Sequence, residues 1–344
     1  MDLEKEIKNI ISKNKRDLRL DIFLNKLLFE KNGYYYNNRV LGAKKDFITS
    51  PEISQIFGEI VGLYLFFFWS EKIFSRFNLI ELGPGNGTLF NDISNVLIKY
   101  PNFFSNANIN FIEINKALIK LQKKNIRNDF SQKITWRNKI NFKSKLPSII
   151  YSNEFFDCFP VRHFIFDEVW YEKYVSVNFT ENKLFIKKKK VKNKELNLLL
   201  EKYKKQKILE ISFNRNKYFE EICNLIKKRR GLIFTIDYGY TENITNFTLQ
   251  AVQNHKYSHI LENIGKKDIS SHVNFKDLID IAKSYKLKIE EFSSQRDFLL
   301  KYGIIERKKI LSKSSNNDFE NEVDRLINKN QMGNLFKCLV VTNL

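Results

Sequence analysis

The stretch LIELGPGNGTL, residues 79–89, decides the fold. Phe77 to Leu82 has the pattern of a short buried strand, and a helical pattern takes over from Thr88 to Tyr100. Between them Gly83, Gly85 and Gly87 stand at alternate positions. Glycine reaches backbone conformations closed to other residues and lets a ligand approach the main chain. The helix that follows points its unpaired N–H groups back toward the turn. A tight strand-to-helix turn with no ligand is the plainer alternative.

Nucleotide-binding turns of this kind that hold pyrophosphate are spaced G-x-G-x-x-G. Here the spacing is G-x-G-x-G with Glu81 immediately ahead. An acidic neighbour is a poor companion for phosphate and a good one for a cationic sulfonium that carries an amino group. The second strand, INFIEI at 109–114, places Glu113 near its end, where a carboxylate accepts hydrogen bonds from both ribose hydroxyls. The interval from Gly83 to Glu113 exceeds the usual ~20 residues, and the helix between them is correspondingly long.

Working outward, further strands are expected at Ile134–Trp136, Ser148–Ser152, Gly231–Tyr238 and Phe336–Thr342, with helical stretches between them. Strands alternating with helices predict a mostly parallel sheet covered on both faces, a Rossmann-like α/β fold. Residues 1–75 are expected to form an N-terminal helical region packing on a core of residues 76–344. Lid-like insertions are expected at about 163–213, as short β segments, and 241–275. Within the N-terminal region, Ser50 before Pro51 predicts the start of a long helix running to Trp69. Thr49 with Glu52 offers an alternative capping box.

The 344 residues are 43% hydrophobic and 14% aromatic, which excludes global disorder. The longest apolar stretch, Ile60 to Trp69, falls short of the ~20 residues a membrane-spanning helix needs. The opening MDLEKEIKNI is too acidic for a secretory or organellar leader, so a bacterial cytoplasm is expected, or the mitochondrial matrix in a eukaryote. Cys158, Cys223 and Cys338 have no zinc or disulfide spacing, and no metal is expected. The net charge of +20 suits nucleic acid, anionic lipid or acidic protein. It is carried mainly by lysine, in company with abundant Asn and Ile. Basic segments such as Lys187 to Lys190 lack interleaved stacking aromatics, which favours genome composition over nucleic-acid binding.

Nine stretches then align with one pattern. NGYYY (32–36), DFITSPEISQIFGE (46–59), ELGPGNGTL (81–89), FIEIN (111–115), NEFFDCFPV (153–161), IDYGY (236–240), TLQAVQNHKY (248–257), SSHVNF (270–275) and MGNLFK (332–337) resemble the MidA family. That family includes the mitochondrial complex I assembly protein-arginine methyltransferase and bacterial relatives. The resemblance implies a class I methyltransferase fold with S-adenosylmethionine (SAM) as cofactor. It also implies symmetric dimethylation of an arginine on a subunit of NADH dehydrogenase (complex I), in support of its assembly. Two positions depart from the pattern: Asn86 where the family usually has Arg, and Asn274 where it usually has Asp.

Methyl transfer is an in-line attack on the sulfonium methyl, so alignment and electrostatics are the protein's task. An arginine substrate needs a carboxylate to orient its guanidinium. Glu154 and Asp157, just beyond the fourth strand, are the candidates, because ligands bind outside the carboxyl ends of parallel strands. Stabilising the first turn of a helix is their alternative role. His255 is a candidate for contacting substrate or accepting the released proton; for it and His272 a structural hydrogen bond is the other reading. The expected cofactor-binding set is Thr49, Ser50, Glu81, Gly83, Gly85, Gly87, Glu113, Asn138 and Asn153. Asp46, Thr49 and Glu52 either cover the cofactor or cap the helix, and Tyr238 and Gly239 are expected to shape the cleft. A protein substrate is expected, with no specific nucleic acid; oligomeric state is open, a homodimer included. The rival readings are a SAM-binding assembly chaperone without catalysis and a nucleic-acid methyltransferase. No Asn-Pro-Pro-aromatic tetrad or Pro-Cys pair supports the second.

Overall fold

The computed structural model describes residues 3–36, 49–142, 144–253, 256–314 and 319–344. It divides into two compact units. One comprises residues 48–155, 218–240 and 273–344; the other comprises 1–47, 156–217 and 241–272. Residue 75, the boundary expected from sequence, falls inside the first of these. No described helix is long and apolar enough to cross a membrane.

The first unit holds the central sheet. Its strands in chain order are β1 (Phe77–Leu82), β2 (Ala107–Ile112), β3 (Thr135–Arg137), β4 (Ser148–Asn153), β5 (Gly231–Tyr240), β6 (Lys288–Ser294) and β7 (Phe336–Thr342). Their spatial order is 6-7-5-4-1-2-3, with a two-residue strand at Val273–Asn274 added beside the end of β5. β1 lies inside the sheet, parallel to β2 on one side and β4 on the other. All six of its residues are buried, Asn78 and Glu81 included, so the strand shows no in-out alternation. β7 runs antiparallel between β5 and β6. The expected class I fold is therefore present, and the final strand has the bounds predicted for it. β6, KIEEFSS, was not foreseen: it is an edge strand with alternating exposure, so it lacks the apolar run that marks the interior strands.

The segment ahead of β1 differs from expectation in its caps. Thr49, not Ser50, starts a four-residue helix at Ser50–Ile53, with Glu52 Oε2 accepting from the Thr49 backbone N–H at 3.4 Å. Ser54 then caps a separate helix, Gln55–Phe68, accepting from Ile56 N–H, and a π-helical turn over Trp69–Ile73 closes it. Two glycines let this helix lie close to Thr88–Leu97. A Cβ on Gly58 would stand 2.5 Å from the Asp92 Cβ, and one on Gly62 would stand 3.1 Å from the Ile93 Cα. Phe57, Ile60, Phe90, Ile93 and Phe111 belong to the core beneath them.

In the second unit the expected N-terminal helical region opens as two helices, Leu3–Asn14 and Leu20–Leu28, with Lys15 after the first in a left-handed conformation. An antiparallel sheet is built from Arg162–Asp167, Val169–Asn178, Lys183–Lys190 and Ile208–Ile211, joined by the short strand Leu18–Arg19. A three-stranded antiparallel sheet follows from Gln250–Gln253, Lys256–Ser258 and Asp268–Ser270. Leu3, Ile7, Phe23, Leu24, Val175 and Ile269 share one core.

Candidate active site

β1, β2, β4 and β5 end side by side, and the residues that follow them form the candidate site. After β1 the three glycines all take positive φ, at 62°, 55° and 83° for Gly83, Gly85 and Gly87. Gly83 donates its N–H to Ile112 O at 3.0 Å, tying the turn to the end of β2. A Cβ on Gly83 would stand 2.8 Å from the Phe155 ring, and one on Gly87 would stand 3.0 Å from Ile126, so these two are fixed by packing. Gly85 is different: a Cβ there would meet nothing within 4 Å. Its backbone faces open space at the first turn of the helix Thr88–Leu97, where free N–H groups favour a polar ligand.

Glu113 follows β2 directly and is 8% exposed. Its Oε1 accepts from Asn115 N–H at 2.8 Å, and its Oε2 accepts from Gln122 Nε2 at 3.2 Å. Gln122 Nε2 also donates to Gly85 O at 2.8 Å, while Gln122 Oε1 accepts from Trp136 Nε1 at 2.8 Å. One fully buried amide thus fixes the glycine turn, the strand-end carboxylate and the β3 indole together. Gln122 was missed from the sequence. It sits on the buried face of the helix Lys116–Asn125, and a polar residue at a core-facing helical position was the available signal. Burial raises the Glu113 pKa, with the Asn115, Gln122 and Ile114 donors opposing.

Glu81 lies within β1, buried, and accepts from Tyr151 Oη at 2.9 Å. Burial pushes its pKa to about 8, with the Tyr151 hydrogen bond pulling the other way. Asn138 is exposed immediately after β3, whose Arg137 O accepts from Glu113 N–H at 2.9 Å. Asn86 Nδ2 donates to Glu52 Oε1 at 2.9 Å, so the residue that departs from the family pattern still anchors the loop, to the segment that Thr49 and Ser50 begin.

At the end of β4, Asn153 Nδ2 donates to Glu154 Oε1 at 2.9 Å, while Asn153 Oδ1 is buried with no hydrogen-bond partner. Glu154 has φ +50°, a left-handed conformation rare for a residue with a Cβ. Its Oε1 also accepts from Ser50 N–H at 3.1 Å, and its own N–H donates to Ile236 O at 2.9 Å. Phe155 N–H donates to Asp237 Oδ2 at 3.1 Å, so the buried carboxylate of β5 braces the same turn. Tyr238 is buried, and Gly239, also in β5, lies beside Val273 of the two-residue strand paired with it. Neither Glu154 nor Asp157 begins a helix, so the first-turn reading does not apply.

Asp157 belongs to the other unit, where its carbonyl accepts from Ser271 N–H at 3.0 Å. In that unit His272 donates its backbone N–H to Thr248 Oγ1 at 2.8 Å, and burial lowers its ring pKa. Asn274 caps the helix Phe275–Ser284, accepting from Lys276 N–H at 3.2 Å. Asp46 and His255 lie outside the described residues.

A family model described as a putative S-adenosyl-L-methionine-dependent methyltransferase matches residues 60–293. The chain belongs to this family. It is a methyltransferase, and SAM is its cofactor. It is 28% identical to the mitochondrial protein arginine methyltransferase NDUFAF7 of Danio rerio, over 90% of this chain and 80% of that protein. Against the Caenorhabditis elegans homologue it is 30% identical over 80% of this chain and 70% of that one. A Burkholderia thailandensis protein solved with S-adenosyl-homocysteine shares the fold, with a TM-score of 0.87 at 20% identity over 99% and 92% of the two chains.

The residues at the strand ends fit this cofactor. Gly85 leaves a cradle that a Cβ would fill, Asn153 offers a buried acceptor without a donor, and Glu113 is a fixed acidic acceptor at the end of the second strand. Glu81, below the turn, supplies a carboxyl group whose ionisation a nearby cation would favour.

Proposed function

We propose that this methyltransferase acts on an arginine side chain of a protein, with Glu154 as the carboxylate that receives the guanidinium. The observation that carries the reading is the Glu154 backbone. A left-handed residue with a Cβ stores roughly 1–2 kcal/mol of strain, and such strain concentrates where a side chain is needed in one place. Glycine would relieve it, and the chain keeps a carboxylate. The names of the relatives, protein arginine methyltransferases, support the substrate class.

In this reading the Gly85 backbone, Asn153 Oδ1 and Glu113 hold SAM, with Thr49, Ser50 and Asn138 at the margins. When bound, SAM supplies an electrophilic methyl group on a sulfonium. Glu154, its Oε1 held by Ser50 N–H and Asn153 Nδ2, pairs with the guanidinium and fixes its plane. That pairing draws positive charge toward the bound edge and leaves the far nitrogen better placed to attack. Asp157 is retained as a second candidate carboxylate and His255 as the acceptor of the released proton. The product is proposed to be symmetric dimethylarginine on a subunit of NADH dehydrogenase, as the family resemblance implies. The compartment follows from the host, cytoplasm in a bacterium and mitochondrial matrix in a eukaryote; the relatives named above are mitochondrial.

The test is mass spectrometry of NADH dehydrogenase subunits from cells with the gene, without it, and with Glu154→Gln. The expected result is one arginine that is dimethylated only with the unaltered gene. An unchanged methylation pattern across all three sinks the substrate assignment. Normal complex assembly with Glu154→Gln would instead favour an assembly role that does not depend on methyl transfer.

A further inference from the structure

The unit made of residues 1–47, 156–217 and 241–272 carries an open cleft of about 870 Å³, outside the elements that form the candidate active site. Its lining has five basic side chains, Arg19, Arg162, Lys189, Lys190 and Lys192, against two acidic ones, Glu172 and Glu195. The basic groups are not equivalent. Arg162 is bound bidentately by Glu172 at 2.6 and 2.8 Å, and Arg19 by Asp21 at 2.9 Å on both arms. Lys189 pairs with Asp17 at 2.6 Å. Lys190 and Lys192 are exposed and have no carboxylate partner among the described residues. They are the charges left over for a ligand.

Beside them lies unused apolar surface. The helix Lys194–Glu201 buries only Leu200. Leu199, in the cleft lining, is 39% exposed, and the neighbouring Leu198 is 76% exposed. Two leucines turned to solvent next to two unpaired lysines form a mixed surface, and that mixture selects the partner. Nucleic acid would look for guanidinium forks and open aromatic faces. Here both guanidinia are occupied, and Arg162 lies over the Phe213 ring at 5.2 Å. A peptide carrying both acidic and aliphatic side chains satisfies both halves of the surface.

We propose that this cleft binds an acidic, leucine-rich peptide segment of a partner protein, with its carboxylates on Lys190 and Lys192 and its aliphatic side chains on Leu199 and Leu198. The cleft volume falls in the range of ligand-binding clefts, about 300–1,000 Å³. The inference stands on this cleft alone and does not rest on the methyl-transfer reading.

Fluorescence anisotropy on the full chain tests it. The probes are a short fluorescein-labelled peptide of alternating Glu and Leu, its Gln-for-Glu counterpart, and a labelled oligothymidine of equal length. Lys190→Glu with Lys192→Glu is expected to weaken the Glu-Leu peptide by roughly tenfold, and Leu199→Ser should weaken it as well. A control reversing Lys283→Glu and Lys288→Glu makes the same change in net charge elsewhere and should leave most of the affinity. All five positions are exposed, and circular dichroism checks that each variant folds. Three results would overturn the proposal: equal binding by the cleft variant, equal loss in the control, or tighter binding of the oligothymidine than of the Glu-Leu peptide.

Discussion

The chain turns sharply after β1 and again after β4, and it solves the two turns differently. After β1 every left-handed position is a glycine. After β4 the left-handed position is Glu154, side chain included. Where only a shape is needed, glycine provides it without strain. Where a shape and a carboxylate are needed at the same point, the strained backbone is kept and its neighbours hold it: Ile236 O takes its N–H, while Ser50 N–H and Asn153 Nδ2 hold its Oε1. Two similar bends thus separate a turn that offers backbone from a turn that offers a side chain.

The sharpest way to break this comparison is to make the second turn like the first. Glu154→Gly should fold, since the backbone strain it removes offsets part of the lost hydrogen bonding. Methyl transfer should nevertheless fall by about 10²–10³ in kcat, with SAM affinity by calorimetry little changed. Glu154→Gln should lose activity to a similar extent. If either variant keeps near-normal kcat, the carboxylate is structural and the strain has another cause.

The converse change adds a side chain where the first turn has none. Gly85→Ala introduces a methyl group that meets no protein atom within 4 Å, at φ +55°. The expected cost to stability is about 1–2 kcal/mol, whereas SAM affinity should fall by roughly tenfold or more because the methyl occupies the ligand's approach. Gly83→Ala is the control for packing: its methyl would stand 2.8 Å from the Phe155 ring, and it should lose more thermal stability than Gly85→Ala. The prediction fails if Gly85→Ala binds SAM as the unaltered chain does.

Gln122 links the first turn to the second strand, so its effect should be intermediate. Gln122→Leu keeps the volume and removes contacts to Gly85 O, Glu113 Oε2 and Trp136 Nε1. Each polar group left buried without a partner costs about 1–3 kcal/mol. SAM Kd should therefore rise several-fold while kcat at saturating SAM stays nearly constant. A fall in kcat without a change in Kd would contradict this positioning role.

The legibility of these features in the sequence follows their physics. Gly83, Gly85, Gly87 and Glu113 were readable because local chain geometry dictates them: a buried strand, a turn that only glycine makes comfortably, and a strand end. β7 was readable because FKCLVVT is an apolar run with a clear start and stop. What was not readable depends on distant partners. β6 is recognisable as a strand only beside β7. Gln122 is a polar residue in a lysine-rich helix until the fold brings Gly85 and Trp136 to it. Thr49 and Ser50 both satisfy helix-start rules, and the choice between them is made by contacts in space: Ser50 N–H is taken by Glu154. The grouping of residues 1–47 with 156–217 and 241–272 joins segments far apart in the chain, which no local pattern encodes.

The mildest of the expected effects concerns Glu81, beneath the first turn. Its pKa of about 8 lies above the ordinary 4.5, so the folded chain holds a proton there that the unfolded chain releases. Its contribution to stability is full below about pH 4.5 and is lost as pH rises through about 8. Cofactor binding has the opposite sign. A cationic ligand favours the ionised carboxylate, so SAM affinity should increase as pH rises from 6 toward 8 and then level off, by less than tenfold per pH unit. Calorimetry in two buffers of different ionisation enthalpy should show proton release on SAM binding at pH 7. S-adenosyl-homocysteine, whose sulfur is neutral, should release less. Glu81→Gln should flatten both profiles and leave the two ligands closer in affinity. If the pH slope survives that substitution, the titrating group lies elsewhere, and Glu113, whose pKa is also raised by burial, becomes the residue to test.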